Sequence, residues 1–337
     1  MRRAWKVCLA GVVLVVLAIQ PALAQKVYEF KISVDTVMNH PRNQGLLIFM
    51  DMIKKRSNGR LAPKLYHSAQ LYKDTHVPKA LSLGTLEMGV PGIWQLESYD
   101  PNASITSLPM FFGQPAEVTE KLVDGEMGKA VAESLGKKIR VKVLGRWYEL
   151  GYIHMHFIKK KVAKLEDFKG LKIRYFGSSV NAERIKAFGA SPIMISWADV
   201  PMAMVQGTVD GLITSFKSAE GAKLNEAGMK YSVKYRESML HYLPMVSLKF
   251  WSTLPEDLQK IMVDSWNEQV DQQREMARKM QAEAELILEK KGVEIFRPSD
   301  ELLAKWRKHI MPAQEPFVKK IGMNTELVNI AKKMLGM

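Results

Sequence analysis

The same local plan is written twice along this chain, and it limits the fold more than any other feature. Tyr28, Phe30, Ile32 and Val34 alternate with Glu29, Lys31 and Ser33, the period-two pattern of a strand. Leu46, Leu47, Met50 and Ile53 follow with helical spacing, and Asn58-Gly59 supplies a stop that tolerates a left-handed backbone. Residues 61–66 read as a strand, 77–83 as a helix stopped by Gly84, and 86–90 as a short buried strand. From residue 172 the plan repeats. A strand at 172–176 leads to Ser178 or Ser179 as cap of a helix carrying Ala182, Ile185 and Phe188, which ends at Gly189. A strand at 192–195 follows. Ser196 then stands three residues before Asp199, a capping-box-like start for a helix ending near Gln206-Gly207, and 209–214 is the next strand. Parallel strands need long crossovers, and helices supply them. Two α/β lobes are therefore predicted.

The remaining segments connect those lobes. Residues 139–158 are rich in β-formers and aromatics and suit a crossover. Thr253 is the expected N-cap of a long helix with Pro255, Glu256 and Asp257 in its first turn, running to Glu289 and ended by Gly292. A helix of that length is expected to bend around both lobes or to break. The division that results is 25–148 mainly first lobe, 149–240 mainly second lobe, and 241–337 crossover strands and long helices packing on both. There is no low-complexity tract and no short repeat.

Residues 1–24 read as a signal peptide. Arg2, Arg3 and Lys6 precede a non-polar run at 7–19, Pro21 breaks it, and Ala22-Leu23-Ala24 forms a cleavage pattern. The run is short for a bilayer span, so an uncleaved anchor is the lesser alternative. The mature chain is expected to start at Gln25 and to work in the periplasm. The one cysteine, Cys8, lies in the removed segment. The mature chain then has no disulfide, thiolate nucleophile or Cys-bound metal. The formal charge of +14 falls by three to +11 on cleavage. Those charges are scattered, without aromatics interleaved at stacking intervals, so no nucleic-acid partner is expected.

Motifs for catalysis are missing. The chain has no Gly-x-Ser-x-Gly, His-Glu-x-x-His, Walker or Gly-x-Gly-x-x-Gly run. His154 and His156 share a strand face but lack further ligands at suitable spacing, so no metal and no cofactor is expected. Arg174 stands on a strand beside the Gly177-Ser178-Ser179 turn, the edge where open α/β sheets bind ligands. A guanidinium there can grip a carboxylate through two parallel hydrogen bonds. Spacing alone favours a solvated or ion-paired surface arginine over that role.

The run Asp167-Phe168-Lys169-Gly170-Leu171-Lys172-Ile173-Arg174 resembles a signature of TRAP-type solute-binding proteins, the C4-dicarboxylate-receptor-like periplasmic receptors of tripartite ATP-independent transporters. The resemblance continues through Phe188-Gly189-Ala190-Ser191-Pro192, Ala203-Met204-Val205-Gln206-Gly207 and Val209-Asp210-Gly211. Upstream, His40-Pro41, Ser57-Asn58-Gly59-Arg60, Gln70-Leu71, Gly84-Thr85-Leu86-Glu87-Met88 and Leu108-Pro109-Met110-Phe111 keep the family's order, as does Phe250-Trp251 downstream. It implies an α/β, two-lobed periplasmic-binding-protein fold with mixed sheets, a ligand cleft between the lobes and a long lobe-spanning C-terminal helix. It also implies that Arg174 grips the carboxylate of a small organic anion, which the receptor delivers to the membrane subunits of a TRAP permease.

Two departures from the family pattern bear on the ligand. Gly151-Tyr152-Ile153-His154 carries no second arginine, and Thr214 stands where many members have a ligand-touching Asn. Both point away from doubly charged ligands. Trp94, Trp147, Trp197 and Phe216 crowd the same neighbourhood, and pockets are largely apolar with few polar anchors. The expected ligand-binding set is therefore Arg174, Thr214, Trp197, His154, Trp94, Trp147, Phe216 and His40, around a monocarboxylate with an apolar or aromatic body. The chain is expected to be a monomer and not an enzyme. One rival is an exported α/β hydrolase-like enzyme with His154 or His241 as base, for which no tuning partner is evident. Another is a ligand sensor serving a signalling partner.

Overall fold

The computed structural model describes residues 25–337. The expected signal peptide, with Cys8 and Ala22-Leu23-Ala24, lies outside the described residues. The alternating opening segment forms the strand Tyr28–Ser33, with Phe30 and Ile32 buried. It pairs in parallel with Leu61–Tyr66 on one side and Met88–Gly89 on the other. Between the first two runs the helix Pro41–Arg56, with Pro41 in its first turn and three basic residues in its last. The chain leaves it through Asn58 and Gly59, both at positive φ. Two antiparallel strands from far along the chain, Met245–Ser247 and Val141–Val143, complete this sheet.

The second sheet is also mixed. Lys172–Tyr175 lies parallel between Ser191–Met194 and Gly211–Thr214, and His154–Phe157 joins the latter antiparallel. Tyr231–Val233 and Glu294–Phe296 extend it. Ser178 caps the helix Ser179–Ala187 by accepting from the Val180 N–H. Ser196 does not act as a cap. Its hydroxyl lies 3.3 Å from that of Thr75, and the chain turns through Trp197–Asp199 before the short helix Val200–Val205.

A two-stranded antiparallel ribbon, Tyr148–Tyr152 with Met239–Tyr242, carries the chain between the sheets. Both expected lobe boundaries, 148/149 and 240/241, cut this ribbon. Gly151 has φ 122, and a Cβ there would lie 2.7 Å from Gln281 Cγ. That closeness reflects the helix Glu256–Lys290, whose 35 residues run unbroken. Thr253 is not its cap, because the Thr253 hydroxyl donates to the Phe250 carbonyl. One end of the helix packs on Pro41–Arg56 and the other on the helix Phe216–Gly221. Buried polar side chains fasten it to the ribbon. Gln273 accepts from the Glu149 N–H and donates to the Glu149 carbonyl, and Trp266 stacks on Tyr148 at 4.1 Å. Such paired bonds satisfy the ribbon's buried backbone groups and hold helix and ribbon together. No described helix is long and apolar enough to cross a membrane.

Candidate ligand-binding site

The strand ends of both sheets and the ribbon converge on one narrow cavity, with about 330 Å³ of atom-free space when its solvent-filled mouth is included. Asp35 and Thr36 follow the first strand, Asp74 sits in a short turn, and Trp94 follows Pro91-Gly92. From the second sheet come Arg174, Phe176, Trp197 and Thr214, with Ser218 behind them. The ribbon contributes Leu150, Leu240 and Tyr242. Open α/β sheets bind ligands at this edge.

Arg174 is fully buried. Its Nε donates to the Ile195 carbonyl at 2.9 Å, which fixes the plane of the group. Both terminal nitrogens lack a hydrogen-bond partner. The guanidinium stands 5.5 Å from the Trp197 ring centre and 5.7 Å from that of Phe176. Burial lowers its pKa to about 10, with Asp74 and Asp35 pulling the other way. It is therefore still a cation at neutral pH, desolvated and with its donors unsatisfied, a state that costs free energy until an anion accepts from them.

Arg42, the other buried cation nearby, is committed. It donates to Asp35, to the Thr36 hydroxyl at 2.7 Å and to the Val90 carbonyl at 3.1 Å, and it lies over the Tyr242 ring. Asp74 Oδ2 accepts from Gln95 Nε2 at 3.0 Å, while Oδ1 has no partner. Burial pushes the Asp74 carboxyl up to about 6 and Asp35 adds to that, while Arg174 and the backbone N–H groups of Thr75 and Trp197 oppose it.

Of the residues expected from the sequence, Arg174, Thr214, Trp197 and Trp94 line the cavity. His40 stands one layer back, its Nε2 3.3 Å from the Ser218 hydroxyl and its Nδ1 accepting from the Arg42 N–H. Burial, then Arg42 and Lys217, keep it well below the usual histidine range, so it is neutral. Three others are not on the wall. Phe216 turns into the core beside Val200 and Met204, its ring 4.3 Å from that of His154. His154 pairs with Thr214 across the sheet, yet that phenyl ring packs against it and it is buried away from the cavity. Trp147 packs edge-on to His241 at 6.0 Å and borders a separate depression on the flank of the first lobe.

The sequence reading missed Asp35, Thr36, Asp74, Phe176 and Tyr242. The strand-end rule pointed to Asp35 and Thr36, just past a predicted strand, and to Phe176, the last residue of one. Asp74 lies in a turn and has no such signal.

The flank depression is larger, about 1180 Å³ of atom-free space, and mostly apolar. Asp124 on its wall is already held by Arg146 and Arg274. We therefore place the site at the smaller cavity, where a buried cation lacks partners. Nor does either histidine offer a base there. Burial pushes His241 down to about 3 and His154 well below its usual range, and neither lines the cavity. Among the described residues no group of three or more His, Cys, Asp or Glu is placed to hold a metal.

The segments that meet around the cavity also bond directly. Gln95 Nε2 donates to the Phe176 carbonyl at 2.7 Å, and Lys73 pairs with Asp199 at 2.7 Å. Glu97 accepts from the Ser178 hydroxyl at 2.6 Å and from the Ser179 N–H at 2.8 Å, at the start of the helix Ser179–Ala187.

Residues 33–320 match the family described as bacterial extracellular solute-binding protein, family 7. The C4-dicarboxylate-binding periplasmic protein DctP of Rhodobacter capsulatus is 27% identical over 310 residues, covering 90% of each chain. A TRAP periplasmic solute binding protein from Ralstonia eutropha H16 with bound (S)-2-acetolactate is 28% identical, with a TM-score of 0.83, over 91% of this chain and 98% of that one. Another, from Sulfurospirillum deleyianum with bound succinate, is 26% identical, with a TM-score of 0.84, over 91% and 99%.

Proposed function

Because the chain belongs to family 7 of the bacterial extracellular solute-binding proteins, we propose that its cavity takes a small monocarboxylate with an apolar or aromatic body, held by Arg174. The coarse activity follows from the family: the chain is a TRAP periplasmic receptor for small organic acids that works with a membrane permease, and not an enzyme.

One observation carries the finer reading. Arg174 presents two buried donor nitrogens without partners to a cavity whose other nearby arginine is already paired. One such cation matches one carboxylate. Asp35 and Asp74 on the same wall would repel a second. Trp94, Phe176, Trp197 and Tyr242 supply apolar surface for the rest of the molecule. The Ralstonia relative holds an acid with one carboxylate and the Sulfurospirillum relative one with two. The charges lining this cavity favour the first kind.

Ligand contacts reach both lobes, so binding favours the closed arrangement by its differential affinity for it. The same reading has residues 1–24 removed on export, the mature chain starting at Gln25, and a monomer dividing into lobes near the ribbon.

Calorimetry on wild type, Arg174→Lys and Arg174→Ala against a screen of organic acids tests the anchor. Arg174→Ala is expected to lose roughly thirty- to several-thousandfold in affinity. Lys keeps the charge without the planar fork and should fall between the two. Binding within threefold of wild type by a folded Arg174→Ala protein would mean that the carboxylate is held elsewhere.

A further inference from the structure

Two residues of opposite charge that line this cavity carry buried polar atoms without a hydrogen bond: the terminal nitrogens of Arg174 and Oδ1 of Asp74. Each acts on the other's charge, yet no direct ion pair joins them. The second carboxylate on the wall, Asp35, is occupied by Arg42. Asp74 is also held in place. Gln95 binds its Oδ2 and is itself anchored on the Phe176 carbonyl, the backbone N–H groups of Thr75 and Trp197 also steady its charged form, and Oδ1 makes no hydrogen bond of ordinary geometry.

A simple carboxylate would satisfy Arg174 and leave Asp74 Oδ1 buried and unsatisfied, with a like charge brought close. An acid that also carries a donor satisfies both groups. The small volume keeps donor and carboxylate near one another. Resting on the reading that Arg174 takes the carboxylate, we propose that Asp74 selects acids bearing a hydrogen-bond donor, hydroxyl or ammonium, on the carbons beside that carboxylate. The donor gives its hydrogen to Asp74 Oδ1. At neutral pH the Asp74 carboxyl, raised to about 6, is largely ionised and acts as an acceptor.

The test is a matched ligand series titrated into the mature wild-type chain. Propionate, lactate and alanine share one body; 3-phenylpropanoate, phenyllactate and phenylalanine share a larger one. For at least one body, the hydroxyl or ammonium member should bind about ten- to hundredfold tighter than its parent, as a bond to a charged acceptor implies. Which member wins separates hydroxyl from ammonium. In Asp74→Ala the preference should shrink to within about threefold. Asp74→Asn should do the same, because Gln95 then claims the amide oxygen and the amide NH₂ faces the ligand. Thermal unfolding of both variants checks that they fold. Equal binding of parent and donor-bearing acids, or a preference that survives both substitutions, overturns the role of Asp74 alone. Failure of all six acids to bind would bring down the Arg174 reading, and this one with it.

Discussion

Two arginines of the second lobe are equally buried and differently employed. Arg174 faces the cavity with its terminal nitrogens unpartnered. Arg184, on the helix Ser179–Ala187, pairs with Glu237 at 2.6 Å and donates to Asn181 at 2.7 Å and to the Ser107 carbonyl. Glu237 in turn accepts from the Tyr235 hydroxyl. Burial alone therefore does not mark a functional residue. A buried charge whose donors end on protein acceptors joins segments of the fold, here 107, 181 and 237. One whose donors end in a cavity is poised for something the chain does not supply.

The contrast is sharpest in stability. Arg184→Ala would strand the buried Glu237 carboxylate, which should cost about 3–5 kcal/mol of unfolding free energy. Arg174→Ala removes a desolvated cation with no full partner, so without ligand the protein should unfold at the same denaturant concentration or a higher one. Urea titrations of the two variants beside wild type decide this. A several-kcal/mol loss from Arg174→Ala would show that the cavity arginine also holds the fold.

Asp74 offers a smaller and sign-specific effect. Its folded carboxyl titrates at about 6, above the usual carboxylate range, because of burial and then Asp35. The folded chain thus holds a proton that the unfolded chain has already released. This contribution is fully present below about pH 4 and is lost as pH rises through about 6. Glu149, raised to about 7 chiefly by burial, adds a slope of the same sign, so only the difference between variants is informative. Asp74→Asn, compared with wild type at pH 5 and pH 7 without ligand, should gain on the order of 1 kcal/mol at the higher pH. Parallel pH profiles would mean that Asp74 is not desolvated.

Much of the fold could be read locally. Alternation placed Tyr28–Ser33, glycines placed the helix stops, and Pro255-Glu256-Asp257 placed the start of the long helix. Pairings made at a distance left no local trace. Nothing near Met245 shows that it joins the first sheet, or near Glu294 that it joins the second. Caps were ambiguous for a related reason: Ser178, Ser196 and Thr253 look alike, and only the Ser178 hydroxyl accepts from a helix N–H. In the candidate site, strand and turn put Arg174 at the ligand edge but only the family resemblance made it the anchor; Thr214 came from comparison with the family pattern, and Trp94 and Trp197 from the crowding of aromatics there. Asp74 was not legible, because only the meeting of the two lobes brings it to Arg174. Phe216 and Trp147 misled because an aromatic's position in sequence does not say which side of a sheet its ring fills.

An exposed ion pair across the cavity should sharpen the comparison from the other side. Lys73 and Asp199 join the two lobes at 2.7 Å, but their side chains are 46% and 49% exposed. Such a pair contributes at most about 1 kcal/mol, and salt screens it. Because it joins groups on opposite sides of the cavity, its loss should act on closure more than on folding. Lys73→Ala is therefore expected to leave the urea midpoint unchanged and to weaken binding of an identified ligand by less than about fivefold. Raising the salt concentration should erase even that difference, since screening removes the wild-type pair as the substitution does. Calorimetry of both proteins at low and high ionic strength reads this directly. A larger loss that persists in high salt would place Lys73 with the buried anchors, and the line between exposed bridge and buried site would have to be redrawn at the cavity mouth.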